Sequence, residues 1–456
     1  MFILVAGEDE VGFRIAEAVM SQNHVVFLAP DNLSSARLDR LDVEVVNGSC
    51  SSPDVLRRAH VNQADVFIAC TPMDEQNIVS CLAAQRLGAK RAICFLNRHG
   101  FLNLADDDAA LADSLGIDAV VRPAEQLAAE IVQIISIPGA LDVRTFHDGK
   151  IRMLKYEIDP GAVITQRPLR DIDIPKGVNL VMGLRSGELF IPKGDTLFRA
   201  GDKVTAIGTA HGIRTLIFEY LRTKQHASET RRVTVVGGGV VGLAVTRGLE
   251  KSGWKVKVIE VDRARCDELA LRVNSLVLHG DGTDLDLLDE ERIADSSVLI
   301  AVTSNDEKNL LVSLLGKHLG IPRIITRADK MVNERLFEKV GIDVVLSARG
   351  AALRSVIREV MDSGREMLAE IEHGVVHVLE LALPDNFRPL SLAELRPPTF
   401  AIVGAIIRDR RAVIPRGHHV LRGGDRVIVF CRTDDEERTR DFFLSQDRLI
   451  PRVEAR

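Results

Sequence analysis

The sequence predicts an α/β protein in which one plan occurs twice, and three observations carry that expectation. Short apolar, β-branched runs alternate with amphipathic helical segments over residues 1–137 and again over 231–362, the pattern of parallel sheets covered by helices on both faces. The stretch ADVFIACTPMDEQNIVSCLAAQRLGAKRAI (64–93) aligns with SSVLIAVTSNDEKNLLVSLLGKHLGIPRII (296–325) at one constant offset and without a gap. The period, about half the chain, is far too long for a solenoid. Each α/β stretch is followed by a shorter one of β-like runs between Gly and Pro turns, 138–222 and 363–456.

In chain order, Ile3–Val5 reads as a strand and Val11–Gln22 as a helix. Val25–Leu28, Val43–Asn47, Val66–Cys70 and Ala92–Phe95 read as further strands, with helices such as Glu75–Leu87 between them. Turns at Pro138-Gly139, Pro160-Gly161, Pro175–Gly177 and Pro192–Gly194 then mark a small α+β module. Its segment LFIPKGDTLFRAGDKVTAIG (189–208) returns as AVIPRGHHVLRGGDRVIVFC (412–431). The polar stretch Arg222–Arg231 reads as the linker between repeats. Ala124–Ile137 and Ala351–Met361 follow the last strand of each sheet and carry apolar residues at helical spacing. They read either as core-facing helices or as helices that cross to a partner subunit.

Bulk properties exclude several function classes. With 456 residues, 46% of them hydrophobic, the chain has ample core for three or four domains. A net charge of −6 gives no global attraction to nucleic acid or anionic lipid. One tryptophan and two tyrosines leave no aromatic platform for single strands, so no nucleic-acid partner is expected. No apolar run approaches the roughly 18 residues of a membrane span. The N-terminus lacks the positive region and cleavage site of a signal peptide. The six cysteines are scattered without a C-x-x-C pair and read as buried free thiols of a reducing cytosol.

The chemistry concentrates between Val233 and Asp262. The strand-like run Val233–Val236 leads into Gly237, Gly239 and Gly242 at G-x-G-x-x-G spacing, then a helix over Val240–Lys251, a strand over Lys255–Ile259, and Glu260 at its end. In a Rossmann unit the first glycine allows the tight turn, the second lets backbone approach a pyrophosphate, and the third lets helix pack on strand. The loop residues Gly237, Gly238, Gly239, Val240, Val241 and Gly242 would present N–H groups to phosphate at the positive end of the helix dipole. Glu260 stands near the distance beyond the glycines, roughly 20 residues, at which such a unit places the acid that holds ribose. It can accept both ribose hydroxyls, which favours NAD over NADP, although Arg263 and Arg265 temper that preference. Asp281, Thr303, Asn305 and Arg327 sit in loops at the carboxyl ends of later strands, where open α/β sheets bind ligands. Asp281 is placed for an adenine edge or a second hydroxyl, Arg327 for a phosphate. Thr303, Asn305 and Asp306 also suit capping of a helix over Asp306–Leu319 without any ligand.

The first copy departs at these positions. Gly7 and Gly12 are kept, but Asp9 replaces the middle glycine and Glu8 and Glu10 flank it. A like charge at about 4 Å from phosphate costs about 4 kcal/mol at an effective dielectric near 20. Ala29 stands near the place of Glu260, Ser49 follows Gly48 where Asp281 follows Gly280, and Phe95 replaces Arg327, while Thr71 matches Thr303. The first site therefore reads as degenerate, with a site retuned for another ligand or a cation as the alternative.

These residues resemble the TrkA family, the cytosolic regulatory subunits of Trk-type bacterial potassium uptake systems. The resemblance rests on the T-x-x-D-E-x-N segments at Thr71 and Thr303, on AVVRPAEQLAAEIVQIISIPGALDV (119–143), and on the I-P-[KR]-G…GD turns at Ile191 and Ile414, and it spans roughly residues 1–445. It implies two RCK (KTN) Rossmann-like doubly wound domains, 1–137 and 231–362, each followed by a small α+β RCK-C domain, 138–222 and 363–456. It also implies a homo-oligomer, with a tetramer favoured, docked on the cytosolic face of the inner membrane under a TrkH-type potassium channel subunit. There NAD(H), or ATP or ADP at the same site, would change the shape of an RCK ring and gate the pore. An NAD-dependent oxidoreductase is the alternative, disfavoured because no substrate domain and no His, Lys or Tyr group stands beside the nicotinamide position; His279 reads as buried mid-strand. A regulator of another cation transporter is a third reading. His373 with His377, and His418-His419, lack a third ligand and read as solvated histidines, not zinc ligands. RDRR (408–411) reads as an exposed hairpin turn able to meet lipid headgroups or a channel's acidic loop.

Overall fold

The computed structural model describes all residues except 21–22, 32–40, 42, 98–114, 148, 223–230, 362–366, 373, 399, 410 and 446–456. His373, Arg410 and most of the expected linker thus lie outside the described residues. The chain divides into two compact units, and they are not the two copies of the repeat. One unit joins 1–132 to 231–363, and the other joins 133–230 to 364–456. Each α/β stretch therefore packs with its sister, and each α+β stretch with its own.

The first unit begins with β1 (Phe2–Ala6), α1 (Glu10–Met20), β2 (His24–Ala29), β3 (Glu44–Asn47), α2 (Pro53–Arg58), β4 (Val66–Ala69), α3 (Asp74–Arg86), β5 (Ala92–Phe95), β6 (Ala119–Val121) and α4 (Pro123–Ile135). After β7 (Ala140–Phe146), β8 (Ile151–Glu157), β9 (Val178–Arg185), β10 (Glu188–Phe190), β11 (Lys203–Gly208) and α5 (Ala210–Leu216), which belong to the second unit, the first plan returns. It comprises β12 (Arg232–Val236), α6 (Val240–Lys251), β13 (Lys255–Glu260), α7 (Arg263–Ala270), β14 (Leu276–His279), α8 (Leu285–Glu290), β15 (Val298–Ala301), α9 (Asp306–His318), β16 (Ile324–Arg327), α10 (Met331–Lys339), β17 (Val344–Leu346) and α11 (Ala348–Met361). Both sheets are parallel and run β3-β2-β1-β4-β5-β6 and β14-β13-β12-β15-β16-β17. This is the doubly wound order the alternation predicts. The reversal of winding falls between β1 and β4 and between β12 and β15, so the loops after those strands flank a ligand crevice.

The long helices correct one expectation. α11 is neither left over for a partner subunit nor packed on its own sheet. Its Ala352, Val356 and Val360 are fully buried with Ile3, Val5, Phe27 and Ile68 of the first sheet. Each buried valine contributes about 1.5–3 kcal/mol of transfer free energy. Arg91 donates to the Glu359 carbonyl at 3.0 Å, and Arg349 pairs with Glu10 at 3.0 Å. In return α4 lies on the second copy: a Cβ at Gly248 of α6 would come within 2.7 Å of Val132. Arg354 of α11 holds Glu130 of α4 with two hydrogen bonds, 2.8 and 2.5 Å.

The second unit adds β18 (Met367–Ile371), β19 (Val376–Ala382), β20 (Leu390–Ser391), α12 (Leu392–Leu395), β21 (Ala401–Arg408), β22 (Arg411–Val413), β23 (Val420–Leu421), β24 (Arg426–Arg432) and α13 (Glu436–Leu444). Its two five-stranded antiparallel sheets have equivalent orders, β10-β9-β11-β8-β7 and β22-β21-β24-β19-β18, and β20 pairs with β23 in a small third sheet. They share one apolar cluster, with Ile151, Met153 and Ile207 against Val376, Val378 and Ile428.

The repeated GD turn is explained by buried ion pairs. Asp202 accepts two hydrogen bonds from Arg185, 2.8 and 2.6 Å, and Asp425 two from Arg408, both 2.7 Å. Each aspartate also takes a backbone N–H, from Arg199 and Arg422. Arg408 is therefore not part of an exposed basic turn. Asp202 is 3% exposed. Burial alone would raise its pKa, but Arg185 and the Arg199 N–H together hold it below its ordinary value. The stabilisation is thus present at neutral pH and is lost as pH falls through the depressed folded value. Asp202→Asn should destabilise this unit by about 2–3 kcal/mol, the range for a charged hydrogen-bonded group. The check is denaturant midpoint against pH: the gap from the native chain should close on acidification.

Candidate functional site

The loop after β12 is shaped by three glycines with different reasons to be glycine. Gly237 has a φ of 106°, and a Cβ there would lie 2.9 Å from the Thr303 backbone nitrogen. A Cβ at Gly242 would sit 1.8 Å from the Gly237 carbonyl oxygen. Both are required by packing of loop, helix and neighbouring strand. Gly239 is not: its Cβ would meet only Arg265 Nη1, at 3.6 Å. The protein leaves that backbone bare without needing to. Gly239 is also the N-cap of α6, and no side chain caps the helix, so its first-turn N–H groups keep their affinity for an anion. Val240 is half-buried and Val241 buried in that turn.

Glu260 ends β13 directly beside this loop. One carboxylate oxygen accepts the Gly238 N–H at 2.6 Å and the other the Asp262 N–H at 2.9 Å. The group is 9% exposed. It is fixed against the loop, and a carboxylate has about four acceptor sites, so two remain for hydroxyls. Asp281 accepts from the Thr283 N–H at 3.0 Å and its hydroxyl at 2.9 Å, and pairs with Lys308 Nζ at 3.0 Å. The Thr283 N–H, then Lys308, holds its carboxyl below the usual range.

Other expected residues prove to be committed within the protein. Asn309 accepts from the N–H and hydroxyl of Thr303, at 2.9 and 2.7 Å, and donates to the carbonyls of Thr303 and Arg327. Asn77 does the same with Thr71 and the Phe95 carbonyl. The T-x-x-D-E-x-N segment is thus a clamp between neighbouring loops in both copies. Asn305 caps α9 by accepting the Lys308 N–H at 2.7 Å, as the capping reading predicted. Asp306 takes the Asp329 and Lys330 N–H groups and the Asn333 amide. Burial opposes its charge, yet these donors together lower its pKa. Arg327 holds Asp329 with bonds of 3.0 and 2.5 Å, so a phosphate there would have to share it.

In the first copy the same framework is closed. Asp9 turns its carboxylate onto α1, accepting the Val11 N–H at 3.0 Å and the Gly12 N–H at 3.4 Å. The side chain that replaces the middle glycine therefore stands at the helix N-terminus where an anion would. Glu10 is engaged by Arg349, and Ala29 and Phe95 are buried. Ser49 bonds to Ser51 at 2.9 Å. Gly7 and Gly12 remain because each Cβ would press on the other's Cα, at 2.9 and 3.0 Å.

Sequence reasoning missed Lys308, the ammonium beside Asp281. Its signal was present, since the first copy has Gln76 at the matching place. His279 is corrected: it ends β14 exposed, its Nε2 3.1 Å from the Val261 carbonyl oxygen. His377 is not a solvated histidine. It lies against Glu436, with Glu370 at 3.9 Å, and these carboxylates raise its pKa against the lowering by burial. The His418 and His419 rings lie 4.4 Å apart, tilted by 32°. Among the described residues no group of three or more His, Cys, Asp or Glu is arranged to hold a metal ion. All six cysteines are free and buried, and no described helix is long and apolar enough to cross a membrane.

Fold and site define a tandem pair of Rossmann domains, one glycine loop open and one closed by its own side chain, each domain followed by an α+β module. A family model described as TrkA-N domain matches residues 3–123 and 233–348, and one described as TrkA-C domain matches 153–218 and 379–444. The chain belongs to the TrkA family. It is 35% identical over 444 residues to the Trk system potassium uptake protein TrkA homolog of Archaeoglobus fulgidus, covering 97% of this chain and 100% of that one. It is 29% identical to the Trk system potassium uptake protein TrkA of Haemophilus influenzae, covering 100% of this chain and 98% of that one. Among solved structures, the GsuK channel bound to NAD superposes with a TM-score of 0.60 at 20% identity, covering 97% of this chain and 78% of that one. The GsuK RCK domain gives 0.59 at 20%, covering 97% and 94%.

If the clamp and the Asp9 cap are structural, both act without any ligand. Asn77→Ala and Asn309→Ala should destabilise alike, by at least about 2 kcal/mol, because each leaves buried backbone groups unpaired. Asp9→Ala should lose about 1 kcal/mol, as for a helix cap. Thermal denaturation of the nucleotide-free chain checks all three; an Asn77→Ala variant as stable as the native chain would refute the clamp.

Proposed function

We propose that the chain is a nucleotide-sensing, non-enzymatic regulatory subunit of a Trk-type potassium uptake system. In this reading NAD(H) is held at Gly237–Gly242, with ATP or ADP competing for the same loop, and the first loop holds no nucleotide. The observation that carries it is the contrast between two equivalent helix N-termini: α6 has no side-chain cap beside the unneeded Gly239, whereas α1 is capped by Asp9. The backbone N–H groups of Gly239, Val240 and Val241 would take the pyrophosphate. Glu260 would take the ribose hydroxyls through its remaining lone pairs, and Asp281, Thr303, Asn305 and Arg327 would line the crevice with Lys308. The potassium uptake role of the named relatives and the NAD of the GsuK channel support this assignment.

The partner would be a TrkH-type membrane potassium channel subunit on the cytosolic face of the membrane. Four chains would supply eight Rossmann domains for a ring beneath it. A nucleotide would gate the pore only by binding one ring arrangement more tightly than another. Because α11 leaves the second sheet and is buried on the first, the intact chain, not a half, is the proper sample.

Titration calorimetry of the intact chain with NADH should give one nucleotide per chain. Glu260→Ala should weaken binding by about 1–3 kcal/mol, and Gly239→Asp should abolish it. Two nucleotides per chain would overturn the reading of the first loop, and unchanged affinity in Gly239→Asp that of the second. Light scattering should give four times the 50.1 kDa chain mass. Potassium flux through the reconstituted channel should respond to nucleotide, and turnover of NADH with a carbonyl substrate would instead favour an oxidoreductase.

A further inference from the structure

The β7–β8 and β18–β19 hairpins are equivalent parts of the two α+β modules, related by one constant offset that matches Ile151–Glu157 with Val376–Ala382. In each turn the residue with a left-handed backbone, His147 at φ 50° or Glu372 at φ 51°, reaches to the other module. His147 Nε2 lies 3.2 Å from a Glu380 oxygen, and Lys155 Nζ lies 2.6 Å from a Glu372 oxygen. At that same offset His147 is the equivalent of Glu372, and Lys155 of Glu380. The same two positions thus make both contacts, with the polarity reversed. An imidazole turn approaches a carboxylate strand in one, and a carboxylate turn meets an ammonium strand in the other.

The two carboxylates are withdrawn from water, whereas the His147 and Lys155 side chains are 26% and 24% exposed. The Glu380 side chain is 4% exposed and that of Glu372 11%, and Arg426 Nε stands 2.5 Å from the second Glu380 oxygen. A second carboxylate placed against either of them would be poorly screened by solvent. The apolar cluster between the sheets discriminates little, since both modules offer aliphatic side chains to it: Ile151, Met153 and Ile207 on one side, Val376, Val378 and Ile428 on the other.

We propose that the two reversed pairs select the docking partner: a first module accepts a second module and rejects its own kind. Were a first module to dock by this surface on the first module of another chain, His147 would face Lys155, and the ammonium would lose the carboxylate that Glu372 supplies to it. Were a second module to dock on a second, Glu372 would face Glu380, two buried carboxylates. Aliphatic burial supplies adhesion and the charge pattern supplies choice. In an assembly that brings several copies of both modules together, this pattern keeps each first module on a second one. It is independent of any nucleotide.

The test exchanges the turn residues in the full-length chain, His147→Glu with Glu372→Lys, leaving Glu380 and Arg426 in place. Mixed pairing then opposes like charges at both contacts, while like-on-like pairing becomes complementary. A second variant, His147→Gln with Glu372→Gln, puts neutral amides at both turn positions without opposing like charges. Equal amounts of isotopically labelled and unlabelled chains are refolded together and joined with a zero-length carbodiimide coupler. The native chain should give the 155–372 link. The exchanged variant should give mainly a 372–380 link between labelled and unlabelled chains, with a rise in mass by light scattering. The neutral variant should keep the native mass. An exchanged variant with native mass and no 372–380 link would overturn the proposal. So would identical behaviour of the two variants, since loss of a contact would then matter and its sign would not. If the exchanged chain does not fold, Glu372→Lys alone is read for the same 372–380 link, and its absence there is equally fatal.

Discussion

α11 lies on a sheet to which it does not belong by sequence, and the arrangement of the two Rossmann domains depends on that contact. The first sheet has an apolar face formed by Ile3, Val5, Phe27 and Ile68. A doubly wound sheet must cover both faces, because its buried strands are apolar on each. The helix that follows β6 is drawn to Gly248 of the second domain, and Ala352, Val356 and Val360 cover the place it leaves. Arg354–Glu130, Arg91–Glu359 and Arg349–Glu10 ring the exchange with charge pairs. Neither domain can shift far without moving a helix of the other. Arg349, in the first turn of the helix that follows the second sheet, also touches the first glycine loop through Glu10. That contact ties the helix after the second sheet to the first glycine loop.

Within that frame the two domains show how little separates an open phosphate-type loop from a closed one. The clamp of Thr71 with Asn77 and of Thr303 with Asn309 has the same hydrogen-bond lengths in both copies. The turn glycines are kept in both copies by contacts that tolerate no Cβ. Among the motif glycines, what differs is the position that packing leaves free, Gly239 against Asp9. A carboxylate tethered there satisfies the N–H groups of its own helix, and it does so intramolecularly, without the entropy loss of capturing a free anion.

The α+β modules divide their interactions differently. Inside each module, adhesion and geometry come from the Arg–Asp pair at the GD turn, identical in sense in both copies. Between modules, an unselective aliphatic cluster is crossed by pairs whose sense is reversed. Duplication followed by divergence at a few charged positions is sufficient to convert a surface that suits its own copy into one that suits only its sister.

Periodicity, glycine spacing and the internal repeat determined the fold class, the strand order implied by alternation, the small α+β modules, and the glycine loop with Glu260 at the end of the next strand. These are local or near-local properties: a G-x-G-x-x-G turn, a β-branched run and the acid that ends the next strand lie within one βαβ unit, and chain geometry places them together. The closure of the first loop was legible in part, since Asp9 is visible as a missing glycine, but its hydrogen bonds to Val11 and Gly12 were not. Only the tertiary structure decided that α4 and α11 change places, that Arg408 belongs to Asp425, that Arg327 is held by Asp329, and that Lys308 stands at Asp281. Each of these depends on which groups the folded chain brings face to face, whether near or far apart in sequence. An amphipathic helix or an arginine looks the same in sequence whichever partner burial assigns it.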